Sequence, residues 1–260
     1  MNLNELSIVI VTYKSEGKIF SCLNSLPREV NIYVIENSNN HEFKKNLEKK
    51  YSNVRCTLAG ENIGYAAGNN KGLSQVKTKY ALILNPDTIV HKEAIKNFFD
   101  LILKIEDFWI IGPGNNQSKD FTNEKKKFME VENLKGFAIF LNMEKFDQIF
   151  FDENFFLYFE EIDFCKRIKK KGGTIYIDKS IIIYHEGNSS VDKKNKLELE
   201  KNRNWHWMWS TFFFHKKYKG FLLAFIIIFP KLIGAFFKTI YYKLLSDNEK
   251  KEIYSCRLSG

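Results

Sequence analysis

Apolar positions along the first two thirds of the chain follow two rhythms. Short runs at 6–12, 30–36, 54–58, 80–84, 109–113, 136–141, 174–177 and 181–184 are too brief for helices and read as strands. The most apolar of them, 80–84, suits a strand buried on both faces. Residues 19–26, 41–51, about 92–104 and 143–150 read as helices, the first with Ser15 as its N-cap and Pro27 after its end. Strands alternating with helices predict an α/β chain with a mostly parallel sheet and right-handed crossovers. Residues 114–127 are polar and read as a loop.

The last third is patterned differently. A polar helical run at 192–202 leads into Trp205-His206-Trp207-Met208-Trp209 and Thr211-Phe212-Phe213-Phe214. Two apolar runs follow, 221–229 and 232–237, separated by Pro230-Lys231. Each is shorter than the roughly 20 residues that cross a bilayer. Aromatic and basic residues flank both, which predicts a helix in a membrane interface or a shallow hairpin bent at Pro230. Two other readings stay open: a helix packed on the main domain or in a dimer contact, and a true span. The span would place Lys231 in hydrocarbon at about 3 kcal/mol. The division expected is residues 1–204 as the main domain and 205–260 as a basic aromatic tail.

Charge sharpens that division. Residues 201–260 hold 11 of the 40 Lys/Arg and 3 of the 31 Asp/Glu, leaving 29 and 28 for the rest. The body is close to neutral, which argues against nucleic acid as a partner. The basic tail suits an anionic membrane surface, through residues 205–242. Four cysteines without a CxxC pair read as reduced thiols, and the first residues lack the basic start of a signal peptide. A cytoplasmic protein, peripheral on the inner face of the plasma membrane, is expected.

Three stretches carry candidate chemistry. Asn85-Pro86-Asp87 follows the 80–84 strand. Pro86 cannot donate to a ladder, so Asn85 and Asp87 sit just past the strand's carboxyl end, where open α/β sheets bind ligands. A carboxylate there suits a divalent cation on a diphosphate, and the same tripeptide also suits an ordinary turn. Gly60, Gly64, Gly68 and Gly72 recur at a spacing of four, which is not the dinucleotide fingerprint. They give a helix one small-residue face, for packing on the sheet or for a nucleotide or sugar, with Asn62 and Asn69 as hydrogen-bonding groups. Glu160, Glu161 and Asp163 follow the aromatic run Phe155-Phe156-Leu157-Tyr158-Phe159. They either complement a helix dipole or include an acid desolvated by aromatic walls into a general base. Gly172-Gly173 stops that helix, and His185 follows the last strand as either a structural histidine or a ligand.

Together these residues resemble the family 2 glycosyltransferases of GT-A fold, and within them the rhamnosyltransferase-like enzymes of bacterial surface-polysaccharide assembly. The matching blocks are Ile10-Val11-Thr12-Tyr13, Val34-Ile35-Glu36-Asn37-Ser38, Glu61-Asn62-Ile63-Gly64-Tyr65-Ala66-Ala67-Gly68-Asn69 and Leu84-Asn85-Pro86-Asp87. Phe151-Asp152-Glu153, Tyr158-Phe159-Glu160-Glu161-Ile162-Asp163-Phe164-Cys165-Lys166-Arg167 and His185 continue the family's order. They cover roughly residues 5 to 205.

The resemblance implies a nucleotide-diphospho-sugar transferase fold with a Rossmann-like sheet. It implies a nucleotide pocket of Thr12, Tyr13, Glu36, Asn37, Asn62 and Asn69. It makes Asp87 the acid of the family's D-x-D element, with Asn85 in place of the first acid, and His185 the residue completing a Mg²⁺ or Mn²⁺ site. Glu161 stands where the family has its catalytic Asp, with Asp163 as the neighbouring acid. Arg167, like Asn85, is expected at the diphosphate or acceptor. Glu36 and Glu161 are both Glu where Asp is usual. The activity implied is inverting transfer from a dTDP- or UDP-sugar, with dTDP-rhamnose one option, to a hydroxyl of a lipid-linked or oligosaccharide acceptor. A homo-oligomer is left open. Rival readings are a catalytically silent membrane assembly partner and a nucleotidyltransferase, although Thr12 to Gly17 holds one glycine where the latter needs a Gly-rich loop.

Overall fold

A computed structural model describes residues 2–114, 127–147, 150–187 and 196–260. The polar stretch read as a loop lies mostly outside the described residues, as do 188–190 and the start of the 192–202 run.

The described chain forms two compact units. The first is an α/β unit built on a mixed sheet. Its strands are β1 (Leu6–Thr12), β2 (Asn31–Glu36), β3 (Val54–Leu58), β4 (Tyr80–Leu84), β6 (Ile110–Pro113), β7 (Phe128–Glu130), β8 (Ala138–Asn142) and β9 (Ile175–Asp178), in the order β3-β2-β1-β4-β8-β6-β9-β7. The pairs β1–β2, β2–β3, β1–β4 and β6–β9 are parallel, and β8 runs antiparallel between β4 and β6. A separate ribbon joins β5 (Thr88–Val90) antiparallel to β10 (Ile183–His185). Helices α1 (Glu16–Asn24), α2 (His41–Lys50), α3 (Gly64–Leu73), α4 (Ala94–Ile102) and α5 (Glu160–Lys170) accompany the sheet.

All seven residues of β1 and all five of β4 are buried. Their side chains alternate into two cores, Ile8, Ile10, Leu82 and Leu84 on one face and Val9, Ala81 and Ile83 on the other. A strand covered on both sides favours apolar residues along its length, hence the run of β4, while buried Ser7 of β1 meets the Thr78 hydroxyl at 2.9 Å. The glycine stripe resolves toward packing. A Cβ on Gly72 would come within 2.4 Å of Val9 Cγ1, and one on Gly68 within 2.8 Å of Val11 Cγ1. At Gly68 and Gly72 the small face of α3 therefore meets β1 and leaves no room for a ligand.

Other expectations need correcting. Among the described residues of 143–150, read as a helix, there is a 3-10 turn, Met143–Lys145. Ser15 stands at the expected N-cap of α1, but its hydroxyl donates to the Tyr13 carbonyl rather than capping through its side chain. Strands β5 and β7 were missed because three residues are too few to show a period.

The second unit comprises Glu153–Glu160 and the chain from α6 onward. It holds α6 (Lys196–Lys219), α7 (Phe221–Leu244) and α8 (Asn248–Ser259). Helix α6 runs through the expected boundary at 204/205. The aromatic run spends its rings here: Phe155 lies 5.0 Å from Phe213, Phe156 stacks 4.1 Å from His206 and Phe159 lies 5.2 Å from Phe214. The expected break at Pro230 is absent, and α7 is one helix of 24 residues. Proline inside a helix costs about 3 kcal/mol. Contacts with α6 and α8 on both sides of Pro230 offset it, from Phe221 on Phe212 to Tyr242 on Tyr254. By length and composition α7 is long and apolar enough to cross a membrane, so the two short runs are parts of one helix and the span reading stands beside the interfacial one.

Candidate active site

The strand order puts a topological switch at β1. The chain leaves β1 for β2 and β3 on one side and returns to β4 on the other, and such a point opens a crevice at the carboxyl edge. Thr12 and Glu36 end β1 and β2 in register, and the Asn37 N–H donates to the Thr12 carbonyl at 2.8 Å. The Asn37 amide donates to the Gly64 carbonyl at 3.0 Å, and Asn62 accepts from the Gly64 N–H at 3.2 Å. Thr12, Glu36, Asn37 and Asn62 thus gather where β1 and β2 meet the start of α3, with Tyr13 next in the chain.

Their chemistry differs. Glu36 is buried and accepts from Ser38 N–H at 2.8 Å, from the Ser38 hydroxyl and from Asn40 N–H at 2.6 Å. Both oxygens hold the turn into α2. Asn69 is fully buried, its amide donating to Tyr65 carbonyl. The side-chain oxygens of Asn37 and Asn69 are buried without a hydrogen-bond partner, a costly state for an amide oxygen unless a ligand or water meets it.

On the other side of β1, Asn85 and Asp87 leave β4. The ribbon sets His185 opposite Thr88, so two residues 98 positions apart in sequence meet: His185 Nε2 lies 3.2 Å from Asp87 Oδ1. The Asn85 amide nitrogen lies 3.3 Å from the same ring atom, and its oxygen is buried without a partner. The Glu186 N–H donates to the Asp87 carbonyl, and Lys18 of α1 pairs with the Glu186 carboxylate. Asp87 is buried while His185 keeps about a quarter of its side-chain surface open.

This donor set fits a hard divalent cation. Among the described residues no three His, Cys, Asp or Glu form a metal cage. Mg²⁺ or Mn²⁺ takes few protein ligands when phosphates and water complete its shell. A buried carboxylate and an imidazole nitrogen 3.2 Å apart supply that share.

Glu161 stands in the first turn of α5. Burial pushes its carboxyl above the usual range, and the helix-start N–H groups of Glu161 and Ile162 oppose the shift. Just before it, Tyr158 and Phe159 have φ of 71° and 68°. Two successive bulky residues in the left-handed region cost of order 1–3 kcal/mol each, and such strain gathers at functional positions. Asp163 is fully buried and ion-paired at 2.7 Å with Arg167, which also donates to the Phe150 carbonyl. That pair fastens α5.

Two residues that the sequence did not single out join the halves of the site. Phe137 stacks on the His185 ring at 4.9 Å, and its carbonyl accepts from the Asn85 N–H. Its neighbour Gly136 lies against Glu161: a Cβ there would sit 3.4 Å from Glu161 Cβ and 3.8 Å from its carboxyl carbon. Tyr65 donates its hydroxyl to the Gly136 carbonyl at 2.7 Å. The only hint in the sequence was a glycine at the start of a strand, which often marks close approach. Phe137→Ala removes the surface that orients His185. It is expected to weaken Mn²⁺-dependent donor binding by roughly 10–100-fold, as loss of a supporting partner does. Calorimetric titration of donor with and without Mn²⁺ reads this, and an unchanged affinity counts against the orienting role.

The family model of glycosyl transferase family 2 matches residues 7–164, and the chain belongs to that family. A low-salt glycan biosynthesis hexosyltransferase, Agl10, of Haloferax volcanii is 29% identical over 196 residues, covering 65% of this chain and 63% of that protein. An N-acetylglucosaminyl-diphospho-decaprenol L-rhamnosyltransferase of Mycobacterium tuberculosis is 22% identical over 240 residues, 71% of this chain and 77% of that one. The chain thus spans less than two thirds of the Haloferax relative. Among solved structures, a mannosyltransferase of Pyrobaculum calidifontis in complex with GDP-Man and Mn²⁺ superposes with a TM-score of 0.60 at 14% identity, over 86% of this chain and 69% of that one. The fold is GT-A.

Proposed function

We propose that this protein transfers a sugar, with inversion, from a nucleoside-diphosphate donor to a hydroxyl of a lipid-linked or oligosaccharide acceptor in surface-glycan synthesis. The observation that carries the reading is the meeting of Asp87 and His185 at 3.2 Å, with Gly136-Phe137 linking that pair to Glu161. The glycan-building relatives support the substrate class, and the rhamnosyltransferase among them favours a rhamnosyl donor, with a dTDP- or UDP-sugar such as dTDP-rhamnose expected from the family resemblance.

Thr12, Tyr13, Asn37, Asn62 and the β1–β2 edge take the nucleotide; Glu36 shapes the turn beneath it and Asn69 supports α3. Asp87 and His185 would hold Mg²⁺ or Mn²⁺ against the diphosphate, with the Asn85 amide nitrogen beside the imidazole. Bound there, the cation offsets the negative charge that grows on the leaving group. Glu161 removes the proton from the acceptor hydroxyl while its oxygen bonds to the anomeric carbon from the face opposite the diphosphate. The electron pair of the old glycosidic bond leaves with the nucleoside diphosphate. A carboxyl raised toward working pH is the stronger base for this. Asp163 and Arg167 hold α5, and so Glu161, in place. The tail brings the enzyme to the inner leaflet, where a lipid-linked acceptor is met.

A thermal-shift panel of nucleotide sugars with Mn²⁺ tests the reading. One donor class is expected to stabilise the protein and to be consumed with acceptor, and chelator should abolish both effects. No shift and no turnover across dTDP-, UDP- and GDP-sugars would favour the silent-partner reading instead.

A further inference from the structure

Helix α7 has two opposite meridians. Ala224, Ile228, Lys231, Ala235, Lys238 and Tyr242 recur at spacings of four and three on one of them. Three of these, Ala224, Ile228 and Ala235, are the residues α7 buries. On the same side the Lys231 ammonium sits 4.9 Å from the centre of the Trp207 ring of α6. Lys238 sits 4.9 Å over the Tyr254 ring of α8, and Tyr242 stacks on Tyr254 at 5.5 Å. The two lysines that interrupt the apolar run in sequence are thus turned back onto the protein. Half a turn away run Ile226, Phe229, Ile233, Phe237, Ile240 and Leu244, all apolar and between 41% and 79% exposed. At 1.5 Å per residue α7 is about 36 Å long, and an uninterrupted apolar face of that length marks an interaction surface.

Charge selects the occupant. Lys216, Lys217 and Lys219 close α6 just before this face, and Lys243 and Lys251 stand at its other end, where Lys250 is paired with Asp247 at 3.1 Å. A second copy docked face to face would set like charges beside like, whereas an anionic lipid surface meets them with opposite charge. Crossing the bilayer is disfavoured by what lies behind the face. Lys231 and Lys238 would leave their aromatic rings for hydrocarbon. The α8 helix would follow with Glu249, Lys250, Lys251 and the Glu252 that pairs with Lys201 of α6 at 2.8 Å.

We propose that α7 lies flat in the headgroup–acyl boundary of an anionic leaflet, its Ile226–Leu244 meridian sunk in lipid and its lysine meridian held above on α6 and α8. This rests on the reading of the tail as a membrane-binding element and fixes its mode: both ends of α7 stay on one side.

The test uses the full chain with Cys256→Ser, its other three cysteines being buried, and a single new cysteine by Lys219→Cys or Ser246→Cys. Each variant is added to preformed liposomes of phosphatidylglycerol and phosphatidylcholine, and to phosphatidylcholine alone, then treated with a membrane-impermeant maleimide. Expected are flotation with the anionic liposomes only and equal labelling at both positions without detergent. Ile233→Glu should lower liposome binding by about tenfold or more, from lost apolar burial, with an unchanged circular dichroism spectrum. One position protected until detergent is added would overturn the flat arrangement in favour of a span. A lipid-free dimer broken by Ile233→Glu, with no flotation, would assign the face to a second copy. Flotation with neither liposome, while sugar transfer to a soluble acceptor persists, would remove the membrane reading and leave the catalytic one standing.

Discussion

Asp87→Ala is expected to lower sugar transfer by roughly 10³-fold or more, because charge stabilisation by a metal at a leaving group is worth several kcal/mol. The buried carboxylate faces His185 at 3.2 Å. Its removal leaves an imidazole alone, too little to hold Mg²⁺ or Mn²⁺ at a diphosphate. Steady-state transfer across a Mn²⁺ titration measures the effect. Calorimetry should show donor affinity in chelator unchanged by the mutation, while the gain from Mn²⁺ disappears. Near wild-type turnover in Asp87→Ala would refute the metal assignment outright.

Glu161→Gln should lower the rate by about 10²–10⁴-fold, the usual contribution of a positioned general base, and should make the protein more stable at neutral pH. The two effects have one cause. Burial raises the Glu161 carboxyl in the folded state. Above the folded value it is ionised in both folded and unfolded chains, and only the folded chain bears the desolvation cost. As pH falls through the raised value the folded chain takes up the proton first and gains stability, and below the unfolded value no further gain accrues. Glutamine has no charge to desolvate, so its advantage in melting temperature is present at pH 7 and fades on acidification. The wild-type rate should fall on the acid side at a higher pH than an ordinary carboxylate would give. Melting curves and rate profiles from pH 4 to 8 read both. A Glu161→Gln protein as unstable as wild type at pH 7, or one that retains transfer, counts against Glu161 as a buried base.

Much of the fold was legible because burial on both faces leaves its mark on every residue of a strand. Tyr80–Leu84 is apolar throughout, and the turn chemistry of Asn85-Pro86-Asp87 follows it directly. The pairing of Asp87 with His185 was not legible from spacing; it depends on a ribbon of two three-residue strands, and it entered the reading through family resemblance alone. Phe137 was read as one more apolar strand residue, because stacking on a histidine leaves no periodic trace. Glu36, read as a nucleotide ligand, also accepts from backbone and hydroxyl donors of its own turn, contacts that no pattern along the chain announces. In the tail, Lys231 looked like an interruption of an apolar run. Its contact with Trp207 shows which side of the helix it occupies, and that side is defined by partner helices that a one-dimensional pattern does not contain.

Gly136 and Phe137 are joined by one peptide bond, and that bond works as a ruler. One end lies against Glu161 and the other against the His185 ring, so in the proposed mechanism a shift of this strand end would move base and metal ligand together rather than apart.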